Sequence, residues 1–250
     1  MPRSSKLPVM IFADGASSGN PGPGGWGSIL VDPEGRVTEL GGGVASTTNN
    51  RMEMMAALQA LRQVKIRGLA SEPVEVYTDS VYLIRGITQW VFGWRKKDWK
   101  NAAGVEVANQ DLWRELMGAV AGLKISWRFI RGHAGIPGNE RVDEIAVAFS
   151  KGARPGLYDG PLLQYGVAIH DLPESFALPE MKPREEKVAA FSYLSLLGGS
   201  AMRHANWASC ERRVKGRSGA KFKKAMSASE EQEILRSWGV SPSELKSDEG

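Results

Sequence analysis

Four acidic residues stand where folding alone gives little reason for a charge. Asp14 ends the apolar run Pro8–Ala13, and Glu53 sits in the first turn of an apolar-faced helix. Asp79 follows Val76-Tyr77-Thr78, and Asp143 lies beside the stripe Val142, Ile145, Ala146 and Phe149. A carboxylate in such surroundings costs desolvation energy unless it is paired or bound to a metal. Singly, each has an ordinary explanation: a turn residue, a helix-dipole partner or a solvated edge. An isolated carboxylate of this kind is a candidate ligand for a hard divalent cation. His133 is flanked by Gly132 and Gly135, with Pro137 beyond. A loop histidine is commonly structural, but these glycines leave it little to pack against.

The elements around these residues read as a mixed α/β domain over residues 1–150. Pro8–Ala13, Trp26–Val31, Arg36–Gly42, Val74–Thr78 and Lys124–Ile130 have strand character. Asp32-Pro33-Glu34-Gly35 marks a hairpin turn between the second and third. Met54, Ala57, Leu58, Leu61 and Val64 recur at helical spacing, and Thr48 to Asn50 supply capping chemistry before them. Further helices are expected over Ser80–Trp90, around Asp111–Leu123 and through Val142–Phe149. Three strands followed by alternating helix and strand predict a five-stranded mixed sheet with flanking helices.

From residue 151 to 187 the periodicity dissolves among Pro155, Pro161, Pro173, Pro179 and Pro183, which reads as a linker, flexible at this length, with Leu162 to Ile169 as a stretch that could dock. A small α/β unit is expected over 188–240, followed by a frayed tail over 241–250. In that unit Phe191–Leu197 and Gly219–Met226 read as strands. Asn206 can cap a helix bearing Trp207, Cys210 and Val214, and Ser229 with Gln232 offers a capping box for a last helix. Ala201 to Ala225 holds eight basic residues against Glu211 alone, a local footprint for phosphate or else a solvated face.

Composition narrows the classes. The chain has 250 residues, 42% hydrophobic and 24% charged, with a formal net charge of +4. No run approaches the ~18 apolar residues of a membrane span, and Met1 to Lys6 have no apolar signal core behind them. The single cysteine, Cys210, excludes an internal disulfide framework. These features lead to the expectation of a cytoplasmic monomer with no membrane partner.

The motifs in order resemble bacterial type 1 ribonuclease H. They are Phe12-Ala13-Asp14-Gly15-Ala16 continuing through Gly19-Asn20-Pro21-Gly22 to Trp26-Gly27, Thr47-Thr48-Asn49-Asn50-Arg51-Met52-Glu53, and Thr78-Asp79-Ser80. Gly86-Ile87-Thr88-Gln89-Trp90 follows, then Gly132-His133-Ala134-Gly135 with Asn139-Glu140-Arg141 and Asp143. The resemblance spans nearly all of residues 8–149. It implies a two-metal endonuclease that cuts the RNA strand of RNA–DNA hybrids, leaving 3′-hydroxyl and 5′-phosphate ends. It also implies two Mg²⁺ ions, with Mn²⁺ able to substitute. Asp14 would bridge both ions, Asp143 complete the site of the attacking water, and Glu53 and Asp79 hold the ion facing the leaving oxygen. His133 would assist proton transfer or product departure, with Glu140 nearby.

For hybrid recognition the resemblance points to Asn20, Asn49 and Asn50 as readers of the strands and Thr48 at a DNA phosphate. Trp90, Trp94, Lys96 and Lys97 match the family's basic protrusion, together with Trp99, Arg95 and Lys100. The chain departs from its relatives at Asn101 to Glu106, where lysines are frequent, at Ser46 and Gly93 in the phosphate pocket, and at Val81. Trp207, Cys210, Val214, Gly219-Ala220 and Phe222-Lys223-Lys224 resemble the small hybrid-binding domain of eukaryotic ribonucleases H and viroplasmin-like proteins. That likeness implies that Trp207 and Phe222 pack on the DNA strand while Lys223 and Lys224 meet phosphates. A non-catalytic binder of hybrid or duplex RNA is disfavoured by the retention of all four carboxylates. An integrase-like nuclease is disfavoured by the asparagines and the His133 loop.

Overall fold

The computed structural model describes residues 7–101, 104–180 and 190–248. Outside that description lie residues 1–6, whose lack of a signal core was noted above, and Ala102 and Ala103 after Lys100. So do residues 181–189, with the end of the expected linker, and the last two residues of the tail. The chain divides into two compact units after Glu180. Among the described residues no helix is long and apolar enough to cross a membrane.

In the first unit the apolar run becomes β1 (Val9–Ser17), followed by β2 (Gly22–Val31) and β3 (Arg36–Thr47). Asp32 shapes the turn between the last two, its Oδ1 accepting from the N–H groups of Glu34 at 3.1 Å and Arg36 at 2.8 Å. β4 (Pro73–Thr78) pairs parallel to β1, and β5 (Lys124–Phe129) parallel to β4. β1 is buried on both faces. Val9, Ile11 and Ala13 enter the core beside α1 (Asn49–Ile66), and Met10 and Phe12 enter a second core with Val142 of α5 (Pro137–Ser150). Burial on both faces is why the strand reads as a continuous apolar run.

The helical spacing over α1 is met, with Met54, Ala57, Leu58, Leu61 and Val64 all buried. Ser80–Trp90 is helical but composite: α2 (Val81–Arg85), a π-helical turn over Gly86–Trp90, then α3 (Val91–Lys96). α4 (Gln110–Val120) buries Trp113 against this run. α5 lies very close to β2. A Cβ on Gly25 or Gly27 would come within 2.1 Å and 2.5 Å of the carbonyl oxygens of Ala146 and Val142.

Several expectations need correction. β1 does not end at Asp14 but runs on to Ser17, because β2 pairs with it as far as Gly24. Glu53 lies beyond the first turn of α1, which begins at Asn49. The capping chemistry is not used: Thr48 is the N-cap with no side-chain cap bond, and Asn49 turns its amide to Glu53. The largest correction is the linker. Through Glu180 it belongs to the first unit. Asp159–Pro161 forms β6, antiparallel to the edge of β3, so the sheet has six strands in the order β5-β4-β1-β2-β3-β6. Side chains remote in sequence hold the segment. Arg36 bonds Asp159 through Nε at 3.0 Å and Nη2 at 2.8 Å, Ile169 is buried, and Phe176 meets the Tyr77 ring edge-on at 5.6 Å.

The second unit is a four-stranded sheet, β10-β8-β7-β9, built from β7 (Ser192–Leu197), β8 (Ser200–His204), β9 (Lys221–Ala225) and β10 (Lys246–Ser247). Asn206 caps α6 (Trp207–Val214) as expected, accepting from the Ser209 N–H at 3.0 Å. α7 (Ala228–Ser237) is capped by Ser227 rather than Ser229, because Ser227 Oγ accepts the Glu230 N–H at 3.2 Å. Leu194, Ala201, Ala225, Ile234 and Leu235 form the core. The tail expected to fray supplies β10, and Asp248 bonds the buried His204 at 3.0 Å.

Candidate active site

β1 and β4 are parallel neighbours, with Phe12 beside Tyr77. Asp14 near the end of one strand and Asp79 just beyond the other therefore reach the same carboxyl end of the sheet, where open α/β sheets collect ligands. α1 brings Glu53 to the same place. One carboxylate oxygen from each of Asp14, Glu53 and Asp79 lies within 4.8 Å of the others. Asp143 on α5 stands outside this tight group, yet its charge acts on both Asp14 and Asp79.

The electrostatics are those of a cation site. Burial, and then the charge of Asp79, push the Asp14 carboxyl up to about 8, with Asp143 and Glu53 adding to the rise and the Gly15 N–H, 2.7 Å away, opposing it. Burial also raises Glu53, partly offset by hydrogen bonds from Ser80 and Asn49. Asp79 is raised by burial and by Asp143, while His133 lowers it. All the side-chain charges acting on Asp14 are negative. Carboxylates crowded in this way stay ionised together only if positive charge joins them, so the donor set fits hard divalent cations.

Glu53 is held at both carboxylate oxygens. Asn49 Nδ2 donates to Glu53 Oε1 at 2.9 Å, and the Ser80 hydroxyl donates to Oε2. Ser80 also caps α2, accepting the Leu83 N–H at 3.2 Å. Sequence reasoning quoted Ser80 within a motif but gave it no role. The available signal was a serine placed directly before a helix. Gly132 backs onto the Asp79 carboxylate. His133 follows in the exposed loop between β5 and α5 with φ of 52°, a left-handed conformation uncommon for a residue with a side chain. Glu140 is exposed in the first turn of α5.

The expected recognition residues divide. Pairing of Gly22 with Thr47 brings the turn bearing exposed Asn20 beside Thr48, Asn49 and exposed Asn50. Trp90 and Trp94 are half-buried, packed in an aromatic chain with Tyr82 and Trp113 at centroid spacings of 5.3–6.0 Å. They support the protrusion more than they face outward. Lys96 and Lys97 are exposed, and so is Phe92, which sequence reasoning did not single out. Trp99 is buried, with the Arg114 guanidinium 4.7 Å above its ring.

In the second unit, considered by itself, Tyr193, Trp207 and Phe222 form a strip with centroid spacings of 5.9 Å and 5.3 Å. Trp207 is 40% exposed and Phe222 52%. In β9, Lys224 pairs with Tyr193 and Phe222 with Ser195, whereas Lys223 pairs with the core residue Leu194. Because side chains alternate along a strand, Lys224 shares the aromatic face and Lys223 takes the other. Tyr193 escaped sequence reasoning because only the strand register brings it to Trp207.

The RNase H family model matches residues 6–151. The chain is 50% identical over 147 residues to the ribonuclease H of Cyanothece sp., covering 59% of this chain and 92% of that one. It is 52% identical over 150 residues to the ribonuclease H of Maricaulis maris, covering 59% and 98%. Among solved structures it resembles LC9-RNase H1, described as a type 1 RNase H with the type 2 active-site motif. There the TM-score is 0.55 at 33% identity, over 63% of this chain and 80% of that one. A foamy viral protease-reverse transcriptase in complex with RNA/DNA hybrid matches at a TM-score of 0.50 and 17% identity, over 61% and 21%, a likeness of fold alone.

Proposed function

This chain belongs to the ribonuclease H family and is a ribonuclease H, and on that premise we propose that Asp14, Glu53, Asp79 and Asp143 hold two Mg²⁺ ions for hydrolysis of the RNA strand of a hybrid. The observation that carries this reading is the packing of three carboxylates within 4.8 Å, joined by the charge of Asp143. When bound, such cations lower the pKa of the attacking water and offset charge on both in-line oxygens. The chain's own residues do the rest. Asp14 stands where the charges of the other three converge and would be the ligand common to both cations. Ser80 and Asn49 fix the two oxygens of Glu53 and so hold it in the cluster. His133, exposed beside Asp79, moves the proton to or from the scissile phosphate. Asn20, Thr48, Asn49 and Asn50 line one continuous edge suited to reading 2′-hydroxyls and phosphates.

The second unit adds affinity for the hybrid through the Tyr193–Trp207–Phe222 strip, on which bases or sugars stack, and through Lys224 at a phosphate. Its support is two exposed aromatic rings beside a lysine in a segment with eight basic residues between Ala201 and Ala225.

The test is incubation of the full chain with labelled hybrid, duplex RNA and duplex DNA, each with and without Mg²⁺, beside Asp14→Asn and Asp79→Asn. Cleavage confined to the RNA of the hybrid, dependent on Mg²⁺ and lost in both variants while hybrid binding persists, is expected. Near-normal hydrolysis by either variant would sink the two-metal assignment.

A further inference from the structure

Glu39 lies on β3 with a fully buried side chain, and four donors converge on it. Arg141 gives Nε to Oε1 at 2.7 Å and Nη2 to Oε2 at 2.9 Å. The Tyr158 N–H donates to Oε2 at 2.9 Å and the Tyr165 hydroxyl to Oε1 at 2.6 Å. Arg141 also donates to the Gly156 carbonyl at 3.2 Å. Two of these five bonds thus join a strand to α5, and three draw in chain beyond residue 151. Burial pushes the Glu39 carboxyl up, but the hydrogen bonds from Arg141, Tyr165 and Tyr158 outweigh it and hold it below its usual range. A buried carboxylate of this kind is stable only while its partners stay in place.

Asp143 follows Arg141 by two residues on the same helix. Asp14 and Asp79 are set by the paired strands, and Glu53 is gripped by Ser80 and Asn49. Asp143 reaches the site only as well as α5 is placed. Gly25 and Gly27 let that helix lie close to β2, which sets its height. A glycine floor offers few side-chain ridges against sliding or rotation, the interlocking that normally fixes a packed helix. Val142 packs with Met10 and Phe12 in the core, and to that restraint the two-pronged Arg141–Glu39 pair adds a directional one, with the Tyr158 N–H and the Tyr165 hydroxyl on the same carboxylate.

We infer that Glu39 is a positioning residue for the reaction, setting Asp143 through Arg141, and that the segment from Gly156 to Tyr165 is part of this device. The inference rests on the reading of Asp143 as a cation ligand. Loss of the clamp leaves the tight carboxylate group intact and displaces Asp143 from it.

The test uses the full chain and two readouts: calorimetric binding of Mg²⁺ without substrate, and the Mg²⁺ dependence of kcat on hybrid. Glu39→Gln is expected to weaken Mg²⁺ binding and raise the half-maximal Mg²⁺ concentration about tenfold, the scale of groups that orient metal ligands, with KM for hybrid nearly unmoved. Tyr165→Phe moves both quantities the same way by a smaller factor, and carries the test if Glu39→Gln does not fold. Arg36→Ala loosens the same segment at its exposed pair with Asp159, lowering the melting temperature and moving neither Mg²⁺ quantity. Asp143→Asn is the reference. If it leaves Mg²⁺ binding unchanged, the reading of Asp143 falls and the positioning role with it. If it weakens Mg²⁺ binding while Glu39→Gln and Tyr165→Phe only lower the melting temperature, the positioning role alone is overturned.

Discussion

A Cβ built on Gly132 would lie 2.3 Å from Oδ2 of Asp79, so the loop that carries His133 rests directly on a carboxylate of the acidic cluster. The atom in the way is the free end of a side chain, which can rotate aside at little cost to folding. Gly132→Ala is therefore expected to leave the melting temperature nearly unchanged while lowering Mg²⁺ affinity or turnover about 10- to 100-fold. Thermal melts beside a Mg²⁺ titration of cleavage check this. A variant with normal Mg²⁺ dependence would show that Asp79 tolerates displacement.

The raised Asp14 carboxyl fixes how the metal-free chain responds to pH. Burial, then Asp79, take it from an ordinary 3.8 to about 8. Between these values the folded chain keeps a proton that the unfolded chain has released, so stability falls as pH rises from about 4 to about 8. Glu53 and Asp79 shift in the same direction. Mg²⁺ binds the ionised folded state and restores stability most at the upper end. Melts in chelator across this range, repeated with Mg²⁺, test the sign, and Asp14→Asn should flatten the slope. Stability that instead rises with pH in chelator would contradict the crowding of charge at this site.

His133 is exposed, and its charge acts on Asp79 from outside the carboxylate cluster. His133→Ala should slow turnover by about 10²-fold, within the usual range for a general acid–base group, with Mg²⁺ binding retained. Single-turnover rates across pH decide the matter. An unchanged profile would make His133 a loop residue only.

The aromatic strip and the β9 register separate two lysines that look equivalent in sequence. Trp207→Ala should weaken hybrid binding by about 1–3 kcal/mol if bases or sugars stack on it. Lys224→Ala should reduce the salt slope of binding by about one unit, the signature of one lost phosphate contact, and Lys223→Ala by less. Binding is measured at several salt concentrations with Asp79→Asn in every protein to prevent cleavage, and with chains ending at Glu180 for comparison. A tethered second site can raise avidity by roughly 10²–10⁴, so equal affinities of long and short chains would assign the second unit to another partner.

What could be read before any coordinates follows from how each feature is encoded. The apolar run of β1 and the spacing of Met54, Leu58 and Leu61 are local patterns imposed by burial, and a sequence displays them directly. The carboxylates were legible as residues out of place, and three of them do gather within 4.8 Å. Leu162 to Ile169 shows in the sequence as a stretch that could dock, and it does; the packing of the rest of the segment through Glu180 is not legible. Its anchors pair Arg36 with Asp159 and Glu39 with Tyr165, over separations that no periodicity reports, and its prolines imitate a linker. Asn49 was read as a cap because a cap is the local option. The buried carboxylate of Glu53, one helical turn away, takes its amide instead.

β6 has only three residues, pairing with Arg36, Val37 and Thr38 of the twelve-residue β3. Its size understates what it prevents. The outer margin of a sheet presents free N–H and C=O groups to any extended chain that meets it, and such margins seed self-association. In this molecule a short return of its own chain covers that margin where it runs beside the apolar Val37, with the Arg36–Asp159 pair set across the join. A protein shortened at residue 151 would carry an adhesive border as well as a loosened helix. Its losses would then grow with concentration, a dependence that no defect confined to the carboxylates would produce.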